Sequence, residues 1–155
     1  DVLAHPRHRV FILVDHFDFA TIEALHYANG LHADKLTAVH FVLDARHSAR
    51  LQQRWKHFED EIPLRTLECP DRNLSRASRE LVLNEIDSQP GTKVTVLLPR
   101  RTYAPLVERL LHDRTADRIS AVISRVEGAT AQIVVYDVGS RIAHATAAAR
   151  SGDAS

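Results

Sequence analysis

The sequence predicts one doubly wound α/β domain in which five parallel strands carry helices on both faces. Five short apolar runs alternate along the chain with segments whose apolar residues recur at helical spacing. The first run, residues 10–14, is apolar throughout, as in a parallel strand that is buried on both faces. Because strands separated by helices form parallel sheets with right-handed crossovers, this alternation predicts the fold class.

The first half of the chain contains three of the predicted strands and two predicted helices. Asp15 closes the first strand, Asp18 is a favourable N-cap for the first helix, and Gly30 is a stop signal for it. The second helix is predicted over 45–58, where three large apolar residues share one face. Those residues are Leu51, Trp55 and Phe58, and the strands are residues 10–14, 36–43 and 64–67.

The second half continues the alternation. Ser75 is predicted to cap a third helix, and Pro99 is predicted to end a fourth strand over 94–98. Further helical segments follow over 106–111 and from Thr115, before a fifth strand over 131–138. The Ala/Ser/Arg-rich tail, 139–155, has no apolar period and is predicted to be disordered. The domain is therefore expected over 8–138, with 1–7 as a linker from a preceding segment.

Composition excludes several classes of partner and compartment. The 155 residues include 20 Lys and Arg against 20 Asp and Glu, so no net basic field favours nucleic acid. The single cysteine excludes an intrachain disulfide and fits a reducing compartment. Apolar runs are too short to cross a bilayer, and no secretory signal opens the chain. The absence of methionine indicates either a removed leader or a domain cut from a longer polypeptide, and the second is expected.

Polar and aromatic residues follow two of the predicted strands, where ligands bind in open parallel sheets. Asp15, His16 and Phe17 follow the first strand, and an arginine-rich segment follows the fourth. A carboxylate can accept hydrogen bonds from a ribose or base, and guanidinium groups near a helix start suit phosphate. The alternative is structural, with strand-closing and capping carboxylates and a solvated face of i,i+4 charges. The candidate residues of the second segment are Arg100, Arg101, Tyr103, Arg114 and Thr115.

Motifs for catalysis or metal binding are not found in the sequence. The ten histidines are scattered and form no His-x3-His pair, so no metal site is expected. Cys69 is interpreted as a small buried apolar residue rather than a nucleophile. No nucleophile elbow, G-x-G-x-x-G loop or Walker lysine loop is present, so no catalytic residue is assigned.

The segment 10–25, a strand, an aspartate, a short loop and a helix, resembles the opening of universal stress protein domains. In that family the fourth strand leads into the pattern G-x2-G-x9-G-[S/T], which holds nucleotide phosphates. The matching segment here is 98–119, whose helix start at Thr115 fits the family although the glycines are absent. The resemblance, with the strand–helix alternation, implies the strand order 3-2-1-4-5.

A closer resemblance is to the C-terminal cytosolic domains of bacterial amino acid–polyamine–organocation permeases, including KimA-like potassium importers. It rests on three segments, residues 67–72 (LECPDR), 93–101 (KVTVLLPRR) and 110–119 (LLHDRTADRI). It implies a non-catalytic regulatory domain on the cytoplasmic side of the inner membrane, attached to a membrane domain of the same polypeptide.

The same resemblance implies a ligand and a second copy of the chain. Cyclic di-AMP or another adenine nucleotide is expected between Asp15 and the loop that begins at Arg100, with Phe17 or Tyr103 stacked on a base. A homodimer is expected through the edge strand that contains residues 132–136. The alternatives are a free-standing nucleotide-binding stress protein, a purely structural dimerisation module, and an enzyme of the adenine nucleotide α-hydrolase-like class.

Overall fold

The computed structural model describes residues 6–101 and 114–136, which contain a parallel five-stranded sheet in the order β3-β2-β1-β4-β5. All four neighbouring pairs of strands are parallel, which confirms the predicted fold class and strand order. The strands are β1 (Arg7–Leu13), β2 (Lys35–Val42), β3 (Leu64–Glu68), β4 (Thr92–Arg101) and β5 (Ala129–Tyr136). The helices are α1 (Phe19–Gly30), α2 (Ala45–Trp55), α3 (Leu74–Ser88) and α4 (Arg114–Ile123).

The sheet separates two apolar cores, because successive side chains of a strand point to opposite faces. Phe11 of β1 belongs to the core under α3 and α4, and its neighbours Val10 and Ile12 belong to the core under α1 and α2. The three side chains are fully buried, as the continuous apolar run predicted. Trp55 fills the second core and donates a 2.8 Å hydrogen bond from Nε1 to the Ile62 carbonyl.

Side-chain caps begin three of the helices. Asp18 accepts a hydrogen bond from the Thr21 N–H, which confirms it as the N-cap of α1. The cap of α3 is Asn73, which accepts from the Arg76 N–H at 3.1 Å, so the prediction of Ser75 as the cap was wrong. An N-cap must precede the first helical residue, and Ser75 already lies inside the first turn.

Pro99 lies inside β4 and does not end it, contrary to the prediction. Its backbone is in register with Val134 of β5, and the strand continues to Arg101. β1 pairs with β4 only as far as Leu97, so Pro99 lies where β4 has a single neighbouring strand. A residue without an N–H is tolerated at such an edge, because one side of the strand has no ladder to donate to.

Other element ends differ from the predictions by a few residues. α2 ends at Trp55, and Phe58 lies in the turn that follows, where its N–H bonds to the Trp55 carbonyl. The predicted helical segment 106–111 and the tail 139–155 lie outside the described residues. Among the helices that the structure does describe, none has both the length and the apolar character needed to cross a membrane.

Candidate functional site

The centre of the sheet contains the topological switch point, between β1 and β4. From β1 the chain continues to β2 on one side, and from β4 it continues to β5 on the other. Ligands of open parallel sheets bind beyond the carboxyl ends of the strands at such a point. Asp15 follows β1, and Arg100 and Arg101 are the last residues of β4. The two predicted groups of ligand-binding residues therefore begin at the same edge of the sheet.

Asp15 is surrounded by two histidines rather than standing alone. His16 Nε2 lies 3.2 Å from Asp15 Oδ2, and His47 Nε2 lies 3.6 Å from Oδ1. The two imidazole rings meet edge to face, with centroids 5.0 Å apart. His47 comes from the first turn of α2 and was not predicted as a site residue. The sequence signal for it is its position three residues after Asp44, the N-cap of α2.

The α2 side of this group is built on hydrogen bonds. Asp44 Oδ1 accepts a 2.9 Å hydrogen bond from the His47 N–H, and this bond lowers the pKa of the Asp44 carboxyl. Behind His47 lies the buried His40, with ring centroids 5.9 Å apart. His40 Nδ1 donates to the Val14 carbonyl at 2.8 Å, and Nε2 contacts Ser48 Oγ at 2.7 Å. His40 thus connects the end of β1 to α2.

Phe17 lies against two aromatic residues at the C-terminal end of α2 and in the turn that follows it. Its ring centroid is 5.6 Å from that of Trp55 and 5.2 Å from that of Phe58. The guanidinium of Arg54 lies 5.5 Å from the centre of the Phe17 ring. The side chain extends the apolar core at this end of the sheet, and its stacking on a base stays a prediction.

At the end of β4, Arg100 reaches across to α4. Its Nη1 lies 3.6 Å from Asp117 Oδ1, which connects the strand end to the first turn of the helix. Arg114 and Thr115, the first two residues of α4, are both exposed. The backbone of Arg101 is in register with Tyr136, and Tyr103 lies outside the described residues. The structure thus places Arg100 and the start of α4 together.

In the loop that follows β3, the polar side chains bond to one another. Arg76 donates two hydrogen bonds to Asp71, at 2.6 and 2.8 Å, and these lower the pKa of that carboxyl. Cys69 is buried in the core under α3, with Sγ 3.5 Å from Asp71 Oδ1. Burial and the neighbouring carboxylate raise the pKa of the thiol, which keeps it neutral. This end of the sheet is a capped loop rather than a nucleophilic site.

A groove of about 410 Å³ lies away from the switch point, between the edge strand β3 and α3. Its walls include charged side chains of both signs, such as Arg65, Glu80 and Glu85. None of the residues predicted to bind a ligand lines it.

The described part of the chain matches a known domain family. A family model described as the KimA potassium transporter C-terminal domain matches residues 6–136. The matched segment begins just before β1 and ends at the last residue of β5, so it contains the whole sheet. No curated protein matches the chain.

Proposed function

The chain belongs to the family of KimA potassium transporter C-terminal domains, and from this premise we propose that it is a non-catalytic domain that regulates transport. In this proposal it lies on the cytoplasmic side of the membrane and is attached to the membrane domain of the same polypeptide. The observation that carries the proposal is the family match across the complete sheet. Regulation requires a ligand or a partner whose binding differs between transport states.

The proposed ligand is an adenine nucleotide second messenger, cyclic di-AMP, bound at the switch point. Arg100 and Arg101 end β4 and Arg114 opens α4, and arginine is the residue type best suited to phosphate oxygens. Asp15 carries a side chain that is 68% exposed and would accept hydrogen bonds from a ribose or base. The chain has no glycine between Gly91 and Gly128, so side chains, rather than a glycine-rich loop, would bind the phosphates.

The proposed partner is a second copy of the chain, paired through β5. β5 is an edge strand, and Val135 on it is 55% exposed. Residues 132–136 contain no charged side chain, whereas the opposite edge, β3, carries Arg65 and Glu68. Charged residues on an edge strand oppose pairing, so β5 is the edge suited to a second copy. A dimer without a nucleotide, a purely structural module, is the second candidate, and the same apolar edge favours it.

Calorimetry of the 155-residue chain with cyclic di-AMP, ATP and cyclic AMP tests the ligand. The double variant Arg100→Ala, Arg101→Ala should bind at least about 100-fold more weakly, since charge-assisted hydrogen bonds contribute on the order of 1.5–3 kcal/mol each and about 1.4 kcal/mol is tenfold. The matched control is Arg79→Ala with Arg125→Ala. It removes the same charge from two exposed arginines that lie away from the carboxyl ends of the strands.

The outcomes separate the candidates. Weaker binding in the Arg100 and Arg101 variant, with the control close to the wild-type chain, supports the proposed site. A nucleotide that binds both variants equally well refutes this placement of the ligand. If none of the three nucleotides binds, the regulatory-ligand proposal fails, and the structural dimerisation module becomes the better description.

A further inference from the structure

Asp15, His16 and His47 bring three metal-binding side chains together at the carboxyl edge of the sheet. Each residue offers one potential ligand atom, and within the described part of the chain these three atoms all lie within 4.8 Å of one another. The residues come from two parts of the chain, the loop after β1 and the first turn of α2. The cluster is therefore made by the fold and is not a local sequence motif.

The distances fit a small transition-metal ion. Tetrahedral zinc has bonds to nitrogen and oxygen of about 2.0–2.2 Å, which separates neighbouring donor atoms by about 3.3–3.6 Å. The observed separations from the Asp15 carboxylate are 3.2 Å to His16 Nε2 and 3.6 Å to His47 Nε2. These two distances involve different oxygens of the carboxylate, and the three ligand atoms all lie within 4.8 Å of one another.

The surroundings hold the ligands in place. Nε2 of His47 also donates to the main-chain oxygen of Asp15, so the ring points towards the loop after β1, and a bound metal ion would replace this hydrogen bond. The buried His40 lies against the His47 ring, and it is fixed in turn by Val14 and Ser48. Packing and hydrogen bonds behind a ligand orient it and strengthen the site.

We propose that Asp15, His16 and His47 form a three-ligand site for a divalent transition-metal ion of the zinc type. Two imidazoles and one carboxylate suit zinc, cobalt or nickel, whereas magnesium and calcium prefer oxygen ligands alone. The side chains of Asp15 and His16 are 68% and 53% exposed, which leaves the remaining coordination positions to water or to an anionic ligand. The proposal does not rest on nucleotide binding.

Titration of the 155-residue chain with Zn²⁺ alone, in the absence of nucleotide, tests the site. One ion should bind per chain in calorimetry, and Co²⁺ in its place should give the visible absorption of a nitrogen- and oxygen-ligated ion. His47→Gln and His16→Gln should each weaken Zn²⁺ binding at least tenfold. The matched control is His26→Gln, which changes an exposed histidine of α1 and should leave the affinity unchanged.

Thermal unfolding without metal checks that the variants are folded, because His16 is half-exposed and its replacement should not alter the melting temperature. Added Zn²⁺ should raise the melting temperature of the wild-type chain and of His26→Gln, but not that of His47→Gln. The proposal is overturned if the wild-type chain binds no Zn²⁺, or if all three histidine variants bind it equally. A nucleotide that fails to bind leaves this result unaffected.

Discussion

Replacement of Glu85 by alanine should lower the free energy of unfolding, because it leaves a buried positive charge without its partner. Arg9 lies in β1, in the middle of the sheet, and only 7% of its side chain is exposed. Its Nε donates a 2.9 Å hydrogen bond to Glu85 Oε1 of α3, and its guanidinium lies 4.3 Å from the centre of the Phe11 ring. Burial lowers the pKa of Arg9, yet arginine stays protonated in proteins.

The magnitude follows from the burial of the two partners. Removing one partner of a buried ion pair costs about 3–5 kcal/mol, and the Glu85 side chain is 20% exposed, so we expect about 3 kcal/mol. Arg9 Nη1 has no hydrogen-bond partner within the part of the chain that the structure describes, so the pair with Glu85 is its principal compensation. Glu80→Ala on the same helix is the matched control. Glu80 pairs with Arg76 at 2.7 Å, but these side chains are 58% and 39% exposed, so Glu80→Ala should lower the free energy of unfolding much less than Glu85→Ala.

Urea unfolding measures these differences through the fluorescence of Trp55, the one tryptophan of the chain and a fully buried one. The free energy of unfolding falls by about 1–3 kcal/mol per molar urea, so the unfolding midpoint of Glu85→Ala should fall by about 1 M or more. The double variant Arg9→Met, Glu85→Leu should unfold within about 1 kcal/mol of the wild-type chain, since apolar residues can replace a buried pair. The reasoning is refuted if Glu85→Ala and Glu80→Ala lose equal stability, or if the double variant is no more stable than Glu85→Ala.

Three further predictions concern the loop after β3, the second core and the β5 edge. Asp71→Asn should be less stable than the wild-type chain at neutral pH. The pKa of Asp71 is lowered in the folded state, so the ionised carboxylate stabilises the fold. The difference in urea midpoint between the two proteins should therefore be largest above about pH 4 and shrink as the pH falls further. A difference that grows in acid would contradict this. Trp55→Phe should cost about 2–4 kcal/mol, seen by circular dichroism, because it leaves a cavity and the Ile62 carbonyl unpaired; a change below about 0.5 kcal/mol would contradict it. For the proposed dimer, Val135→Lys should lower the mass measured by light scattering from that of a dimer to that of a monomer, whereas Thr66→Lys on the β3 edge should not; equal effects would contradict the choice of edge.

The sequence by itself determined the architecture of this domain. Continuous apolar runs such as residues 10–14 indicate strands, because a strand of a parallel sheet is buried on both faces. The segments between these runs have apolar residues at helical spacing and indicate helices. Asp18 was identified as an N-cap because capping depends on residues three apart in the chain. The alternation of strands and helices also predicts which strand ends meet at the switch point, and so it predicts that Asp15 and Arg100 lie at the same end of the sheet.

Tertiary structure alone decided which side chains meet. His47 lies 32 residues after Asp15 and joins it because β2 carries the start of α2 to the same edge. The ion pair between Arg9 and Glu85 crosses from the sheet to α3, a contact that depends on strand register and helix packing rather than on local spacing. Pro99 does not end β4, although proline usually ends a strand, because β4 has only β5 beside it at that point. Local patterns report periodicity and caps, whereas partners distant in sequence are selected by the packing of the whole sheet.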